Sequence, residues 1–432
     1  MHIKSSIVLT RYVMFLALLT LATTALRAEV VSLPKFNIKL NETSVSGLSS
    51  GGYMAVQFHV AYSSLVKGAG VIAGGPYFCA KDDQNIAISA CSCTGFFACQ
   101  PTQAGQMLPE LIQLTNQGAG QGVIDATGNL SHSRVWLFSG TADSVVPPPV
   151  MKALDAYYKH YVDNANIFFE KSIHAEHAMP TNFFGNACGV KGDPYINNCH
   201  YDAAGELLKW IYGSLNAKNS GVLGGDFIEF DQGEFIAHPG SHGMWQTGRA
   251  YVPAACRQNA LCRVHVVFHG CQQYPGASSA SGPGGKMGDT YVRNSGYNQW
   301  ADTNNIIVLY PQANAMTIGT RLLRTNPNGC WDWWGYDDGA YAQKSGRQMA
   351  AVRSMLDRLA GLTSPPPSPP SSSAFCGSAT NTAHVNAGRA VNVFFWWYFA
   401  RGSNDYLGWS GTATTMLKQI APDSYQKVAT CP

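Results

Sequence analysis

Residues Gly47-Leu48-Ser49-Ser50-Gly51 fit the pattern Gly-x-Ser-x-Gly. In that pattern a serine sits on a strained strand-to-helix turn and presents its hydroxyl as a nucleophile. A chain with 44 glycines can match it by chance, so other residues must supply the rest of the chemistry. Serine alone is a poor nucleophile and needs a base, and the base needs an acid to orient it. The run "RVWLFSG" leads into Thr141-Ala142-Asp143-Ser144, which puts Asp143 where the carboxyl end of a strand meets a loop. Read alone, Asp143 is a turn or helix-capping aspartate; Asp125 is its rival, but no comparable strand precedes it. After the strand "NIFFEKSI" two histidines compete for the base. His174 lies at the strand's edge, and His177 stands further along the loop, where a base reaches a serine on a neighbouring turn, so His177 is favoured. The two histidines with Glu176 do not form a helical His-Glu-x-x-His site, and no metal is expected.

Acyl chemistry also needs two N–H groups aimed at the developing oxyanion, one of them from the residue after the nucleophile. Ser50 supplies that one. For the other, the strand "CRVHVVFHGCQQ" ends in His269-Gly270-Cys271, similar to the His-Gly loop of esterases, and Cys271 is the expected donor. The plainer reading is a glycine turn that closes a strand.

These residues must be held by a scaffold. "KGAGVIAGG", "RVWLFSGTAD", "ANIFFEKSI", "CRVHVVFHG" and "NIIVLYPQA" are short, β-branched and bounded by turn residues, as buried strands are. Between them "GGYMAVQFHVAYSSL", "PPPVMKALDAYYKHYV", "AAGELLKWIYGSL" and "RQMAAVRSMLDRLAGL" carry apolar residues at helical spacing. Alternating strand and helix predicts an α/β fold, a mainly parallel sheet with helices on both faces. The His-Gly loop follows the Ser, Asp, His series instead of preceding it. From about residue 224, "GDFIEFDQGEFI", "GRAYVPAAC", "CRVHVVFHG" and "NIIVLYPQA" read as the first four strands of a circularly permuted sheet. Permutation is tolerated where chain ends meet at the surface.

Residues 1–28 have basic residues, a short apolar run and small residues near Ala28, the layout of a secretory signal peptide. No later segment reads as transmembrane. "TSPPPSPPSSS" marks a Pro/Ser linker over 363–373. It divides a body, 29–362, from a small C-terminal module, 374–432. The 12 cysteines fit disulfides in an exported protein. Cys188 with Cys199 and Cys256 with Cys262 are plausible local pairs. Charged residues are 13% of the chain and the net charge is +3, with no basic stripe, which argues against nucleic acid.

"SGLSSGGYMA", "GTADSVV", "HAMPTNF", "FHGCQQ" and "GCWDWWGY", in that order, resemble the secreted poly(3-hydroxybutyrate) depolymerases of the circularly permuted α/β-hydrolase type. The resemblance covers roughly residues 36 to 361. It implies Ser49 as nucleophile, Asp143 and His177 as its partners, and the N–H groups of Ser50 and Cys271 as the oxyanion hole. It implies ester hydrolysis of short polyhydroxyalkanoates with no cofactor, with the polyester as partner. From the leader, the charge and the lack of a later apolar span, the protein is expected to be secreted, extracellular or periplasmic, with neither nucleic acid nor membrane as partner, and it is expected to be monomeric. Trp331, Trp333 and Trp334 are candidates to grip the polymer, with burial in the core as the alternative for some of them. In the tail, Cys376 and Cys431 are placed to close a small module. The cluster Phe394-Phe395-Trp396-Trp397-Tyr398 suits either a polymer surface or a structural cap. Two other functions share these motifs: a feruloyl or acetyl esterase of plant polysaccharide, and an inactive surface-binding protein.

Overall fold

The computed structural model describes residues 30–95, 98–316, 324–362, 375–387, 389–393, 397–401, 403, 405–421 and 424–431. The leader expected over 1–28 and the linker over 363–373 lie outside the described residues, as do Phe394, Phe395 and Trp396.

The body is built from β1 (Thr43–Leu48), α1 (Ser50–Ala61), β2 (Val66–Ile72), β3 (Arg134–Phe138), α2 (Pro148–Tyr161), β4 (Ile167–Glu170), α3 (Ala203–Tyr212), β5 (Asp226–Asp231), β6 (Thr247–Val252), β7 (Arg263–Phe268), β8 (Ile306–Tyr310) and α4 (Arg347–Leu359). The strands form one eight-stranded sheet in the order β4-β3-β2-β1-β7-β8-β6-β5. Pairing is parallel from β4 to β8 and antiparallel at β6 and β5.

The permuted order is visible in this sheet. β1 opens the sequence of strands yet lies at the centre, and β4 and β5, successive among the strands of this sheet, occupy opposite edges. The chain before β1 runs along the far edge, where Val31 bridges to Phe230 of β5. It then meets the end of α4, where the Phe36 N–H donates to the Leu359 carbonyl at 2.8 Å. The two ends of the body therefore touch, which is what permits the rearranged order.

Both faces of the sheet are covered. Val135 and Leu137 of β3 pack into one apolar cluster, and Trp136 and Phe138 into the other. That is the period-two alternation of a strand, with every position after Arg134 buried. All twelve residues of α1 are buried, so this helix carries no polar face and acts as a core element.

Six disulfides join Cys79–Cys91, Cys93–Cys99, Cys188–Cys199, Cys256–Cys262, Cys271–Cys330 and Cys376–Cys431. The described part of the tail forms two three-stranded antiparallel sheets, joined by the Tyr425 N–H donating to the Arg401 carbonyl at 2.7 Å. Its apolar core is small: Ala390, Ala400, Leu407 and Leu417. Trp409 is 73% exposed and Trp397 48%.

Candidate active site

The junction of β1 and α1 places Ser49. Its φ of 58° and ψ of −124° lie outside the regions open to most residues. The motif glycines permit the turn. A Cβ on Gly47 would lie 2.1 Å from the Gly51 carbonyl oxygen, and one on Gly51 would lie 2.2 Å from the Phe268 carbonyl oxygen. Only glycine fits at either position. The Ser49 N–H donates to the Ile72 carbonyl at 3.0 Å, which anchors the turn to β2.

Asp143 follows β3 on a turn packed against residues 173–175. Gly140 is required there, because a Cβ would sit 2.2 Å from the Ala175 carbonyl oxygen. Asp143 Oδ1 accepts the N–H groups of Val145 at 2.9 Å and Val146 at 2.8 Å. Its Oδ2 lies 2.9 Å from His177 Nδ1. Both side chains are almost wholly buried. Behind the histidine, Glu176 Oε2 accepts the His177 N–H at 2.7 Å. Burial works to raise the Glu176 carboxyl, but hydrogen bonds from His177 and Ser144 and the charge of Lys191 outweigh it and hold the group below the ordinary range.

The rival residues stand elsewhere. His174 is exposed and touches Thr141. Asp125 binds Ser64 and Lys344. A different serine–histidine contact lies buried between β1 and β7, where His265 has Ser44 Oγ 2.6 Å from Nδ1 and Ser46 Oγ 2.8 Å from Nε2. Burial drives its imidazole down to about 3. Both its nitrogens are occupied and no carboxylate faces it among its hydrogen-bond partners, so this cluster ties β1 to β7 and has no means of activating a serine.

Ser49 and His177 line one cleft of about 420 Å³, together with Tyr53, Tyr195, Gly270, Cys271, Gln273, Trp333 and Trp334. Such a volume suits a small or chain-like ligand. The N–H groups of Ser50 and Cys271 have no hydrogen-bond acceptor among the described residues. Gly270 comes so close to the elbow that a Cβ on it would lie 3.4 Å from the Ser49 Cβ.

The three tryptophans separate. Trp333 and Trp334 line the cleft. Trp331 does not: it is fully buried and donates its indole N–H to the His269 carbonyl at 3.1 Å, which corrects its candidacy as a substrate-gripping residue. The segment is no strand with alternating faces. It wraps around Asp332, whose carboxylate accepts four backbone N–H groups, those of Gly335, Tyr336, Asp337 and Asp338. Trp334 Nε1 is buried and has no hydrogen-bond partner among the described residues.

Tyr53, Tyr195 and Gln273 belong to the cleft but carry no motif of their own. Tyr53 and Gln273 sit inside quoted motifs, four residues after Ser49 and two after Cys271, and their proximity to those residues was the available signal. The Cys271–Cys330 bridge spans 59 residues and has no sequence signature.

No protein-family profile matches the chain. It is 48% identical over 363 residues to a poly(3-hydroxybutyrate) depolymerase of Delftia acidovorans, covering 83% of this chain and 68% of the relative. It is 40% identical over 346 residues to a polyhydroxybutyrate depolymerase of Talaromyces funiculosus, covering 78% of this chain and 94% of the relative. Among solved structures, the crystal structure of a PHB depolymerase from Penicillium funiculosum matches with a TM-score of 0.67 at 38% identity, covering 77% of this chain and 99% of the other. A serine-to-alanine PHB depolymerase complexed with an R3HB trimer matches equally well.

Proposed function

The chain belongs to the poly(3-hydroxybutyrate) depolymerases, enzymes that hydrolyse carboxylic esters, and from that premise we propose that Ser49, His177 and Asp143 cleave the polyester through an acyl-enzyme. The observation that carries the residue assignment is the buried His177–Asp143 pair, which shares a cleft with a serine on a strained elbow.

Asp143 holds the proton on His177 Nδ1, leaving Nε2 free to accept one. As Ser49 Oγ attacks the ester carbonyl carbon, its proton passes to His177 Nε2. The tetrahedral oxyanion takes hydrogen bonds from the N–H groups of Ser50 and Cys271. Collapse breaks the bond to the alkoxy oxygen, and His177 returns the proton to that oxygen as the shortened chain leaves. Water then attacks the acyl-enzyme by the same route, and a hydroxyacid or oligomer is released with Ser49 restored. Every step is served by the chain's own groups.

Trp333 and Trp334 form an aromatic wall of the cleft against which the apolar face of the polyester lies. We assign 1–28 as a signal peptide, 29–362 as the catalytic body, 363–373 as a linker and 374–432 as a module that adsorbs to solid polymer. Exposed Trp397, Tyr406 and Trp409 support the last assignment. Secretion is supported by six disulfides. No helix among the described residues is long and apolar enough to cross a membrane. The protein acts as a monomer, with polyester as its partner and no role for nucleic acid or membrane.

The test is release of soluble 3-hydroxybutyrate from a poly(3-hydroxybutyrate) suspension by the parent and by Ser49→Ala. Release by the parent and none by the variant supports the assignment; equal release by both removes Ser49 as the nucleophile.

A further inference from the structure

Gly270 sits against the elbow, and as a glycine it has the widest backbone freedom of any residue. In this structure none of that freedom remains. The peptide before it is held at both ends: Trp331 Nε1 donates to the His269 carbonyl at 3.1 Å, and the Gly270 N–H donates to Gln273 Oε1 at 2.7 Å. The peptide after it is held by its oxygen, which lies 2.7 Å from His269 Nδ1. His269 is a donor there because its Nε2 accepts the Ala313 N–H at 3.0 Å, which puts the ring proton on Nδ1. Across a trans peptide the C=O and N–H point in opposite directions. Fixing the Gly270 oxygen therefore aims the N–H at the other end of that peptide, which belongs to Cys271. Of the groups on these two peptides, only the Cys271 N–H is left without an acceptor among the described residues.

Gln273 does more than hold one N–H. Its Nε2 donates to the Pro194 carbonyl at 2.9 Å and to the Tyr195 carbonyl at 3.1 Å, so one buried amide joins the 269–271 loop to the turn that supplies Tyr195 to the cleft.

We propose that Gln273 is a positioning residue for ester cleavage, and that with Trp331 and His269 it locks Gly270 so that the Cys271 N–H is aimed at the oxyanion before substrate arrives. This rests on the oxyanion assignment made above. It also gives a function to Trp331, which is buried behind the cleft and not part of its lining. A donor fixed in advance needs no reorganisation as charge develops, so the lock acts on the transition state and leaves ground-state binding alone.

Gln273→Met keeps the side chain's length and removes its amide; Trp331→Phe keeps the bulk and removes only the indole donor. Each is assayed on a soluble nitrophenyl butyrate, with working sites counted by stoichiometric phosphonate labelling of Ser49. A misfolded fraction then lowers the count and not the rate per site. We expect kcat per site to fall on the order of tenfold to a hundredfold for Gln273→Met, less for Trp331→Phe, with KM within about twofold. Binding of a butyl boronic acid, whose adduct places an oxygen where the oxyanion forms, falls by the same factor as kcat. Gln273→Glu keeps an oxygen for the Gly270 N–H and lies between parent and Gln273→Met. An unchanged rate per site overturns the proposal, and so does a lower rate with unchanged boronate binding. If the phosphonate fails to label Ser49 in the parent, the underlying catalytic assignment falls instead.

Discussion

The indole of Trp333 lies flat on the phenol of Tyr53, with ring centroids 4.0 Å apart and planes 10° apart. Tyr53 stands on the first turn of α1, the helix that Ser49 caps. The aromatic wall of the cleft is thus fastened directly to the helix that follows the Ser49 turn. Trp333→Ala removes this stack and opens a void beside the elbow. It is expected to lower stability by about 3 kcal/mol and to raise KM for a soluble hydroxybutyrate oligomer by roughly tenfold. Urea unfolding and steady-state kinetics on the same preparation check both effects. A loss of stability with KM unchanged would show that Trp333 only packs.

Asp143→Asn is the sharpest test of the base. The amide fits the same space, but its NH2 group turned toward His177 Nδ1 selects the tautomer with the proton on Nε2. That nitrogen then has no lone pair for the Ser49 proton. We expect kcat on a soluble ester to fall on the order of ten-thousandfold with KM little changed. Retention of a tenth of the parent rate would exclude Asp143 as the orienting acid.

How much of this was legible in the sequence depended on whether a local rule applied. The elbow was legible because Gly47 and Gly51 are demanded by backbone contacts of near 2 Å. The strands were legible because a buried parallel sheet uses short β-branched runs, and the permuted order followed from where the His269-Gly270 loop falls in the chain. Trp331, Trp333 and Trp334 were not separable, since no period of two or of 3.6 applies to a segment coiled around the Asp332 carboxylate. The contacts of Gln273 with Pro194 and Tyr195 and the Cys271–Cys330 bridge are long-range pairings with no local pattern. The same is true of Trp331 and the His269 carbonyl.

The Cys271–Cys330 bridge ties the His269–Cys271 loop to the tryptophan segment across 59 residues. Constraining the unfolded chain over a loop of that length is worth about 4 kcal/mol in the chain-entropy account. The double variant Cys271→Ser with Cys330→Ser is expected to lose about that much in urea unfolding. The corresponding pair at Cys256 and Cys262, only six residues apart, is expected to lose clearly less. Equal losses at the two sites would show that the bridges act by local packing and not by loop length.

Acid should unfold the enzyme through three histidines that take no part in proton transfer. Burial lowers His59 and His265 to about 3 and His269 to about 4. Each takes up a proton near pH 6.5 once unfolded, so between pH 6.5 and 4 the unfolded chain binds more protons than the folded one. Stability therefore rises with pH across that window and is lost as pH falls, at up to ~1.4 kcal/mol per pH unit for each histidine. Asp332 works in the opposite sense. Burial first, then the charge of Asp337, push its carboxyl up to about 7, so it binds its proton more tightly when folded and offsets about one of the three. The net expectation is a loss of ~3 kcal/mol per pH unit below about pH 6, a large share of an ordinary stability of ~5–15 kcal/mol. Urea midpoints measured from pH 7.5 down to 4.5 check the slope. His265→Gln keeps hydrogen-bonding groups between Ser44 and Ser46 without a titrating ring, and it should flatten the slope by about a third to a half even where it lowers stability at neutral pH. A parent midpoint that stays level to pH 4.5 would show that these imidazoles are protonated in the folded protein.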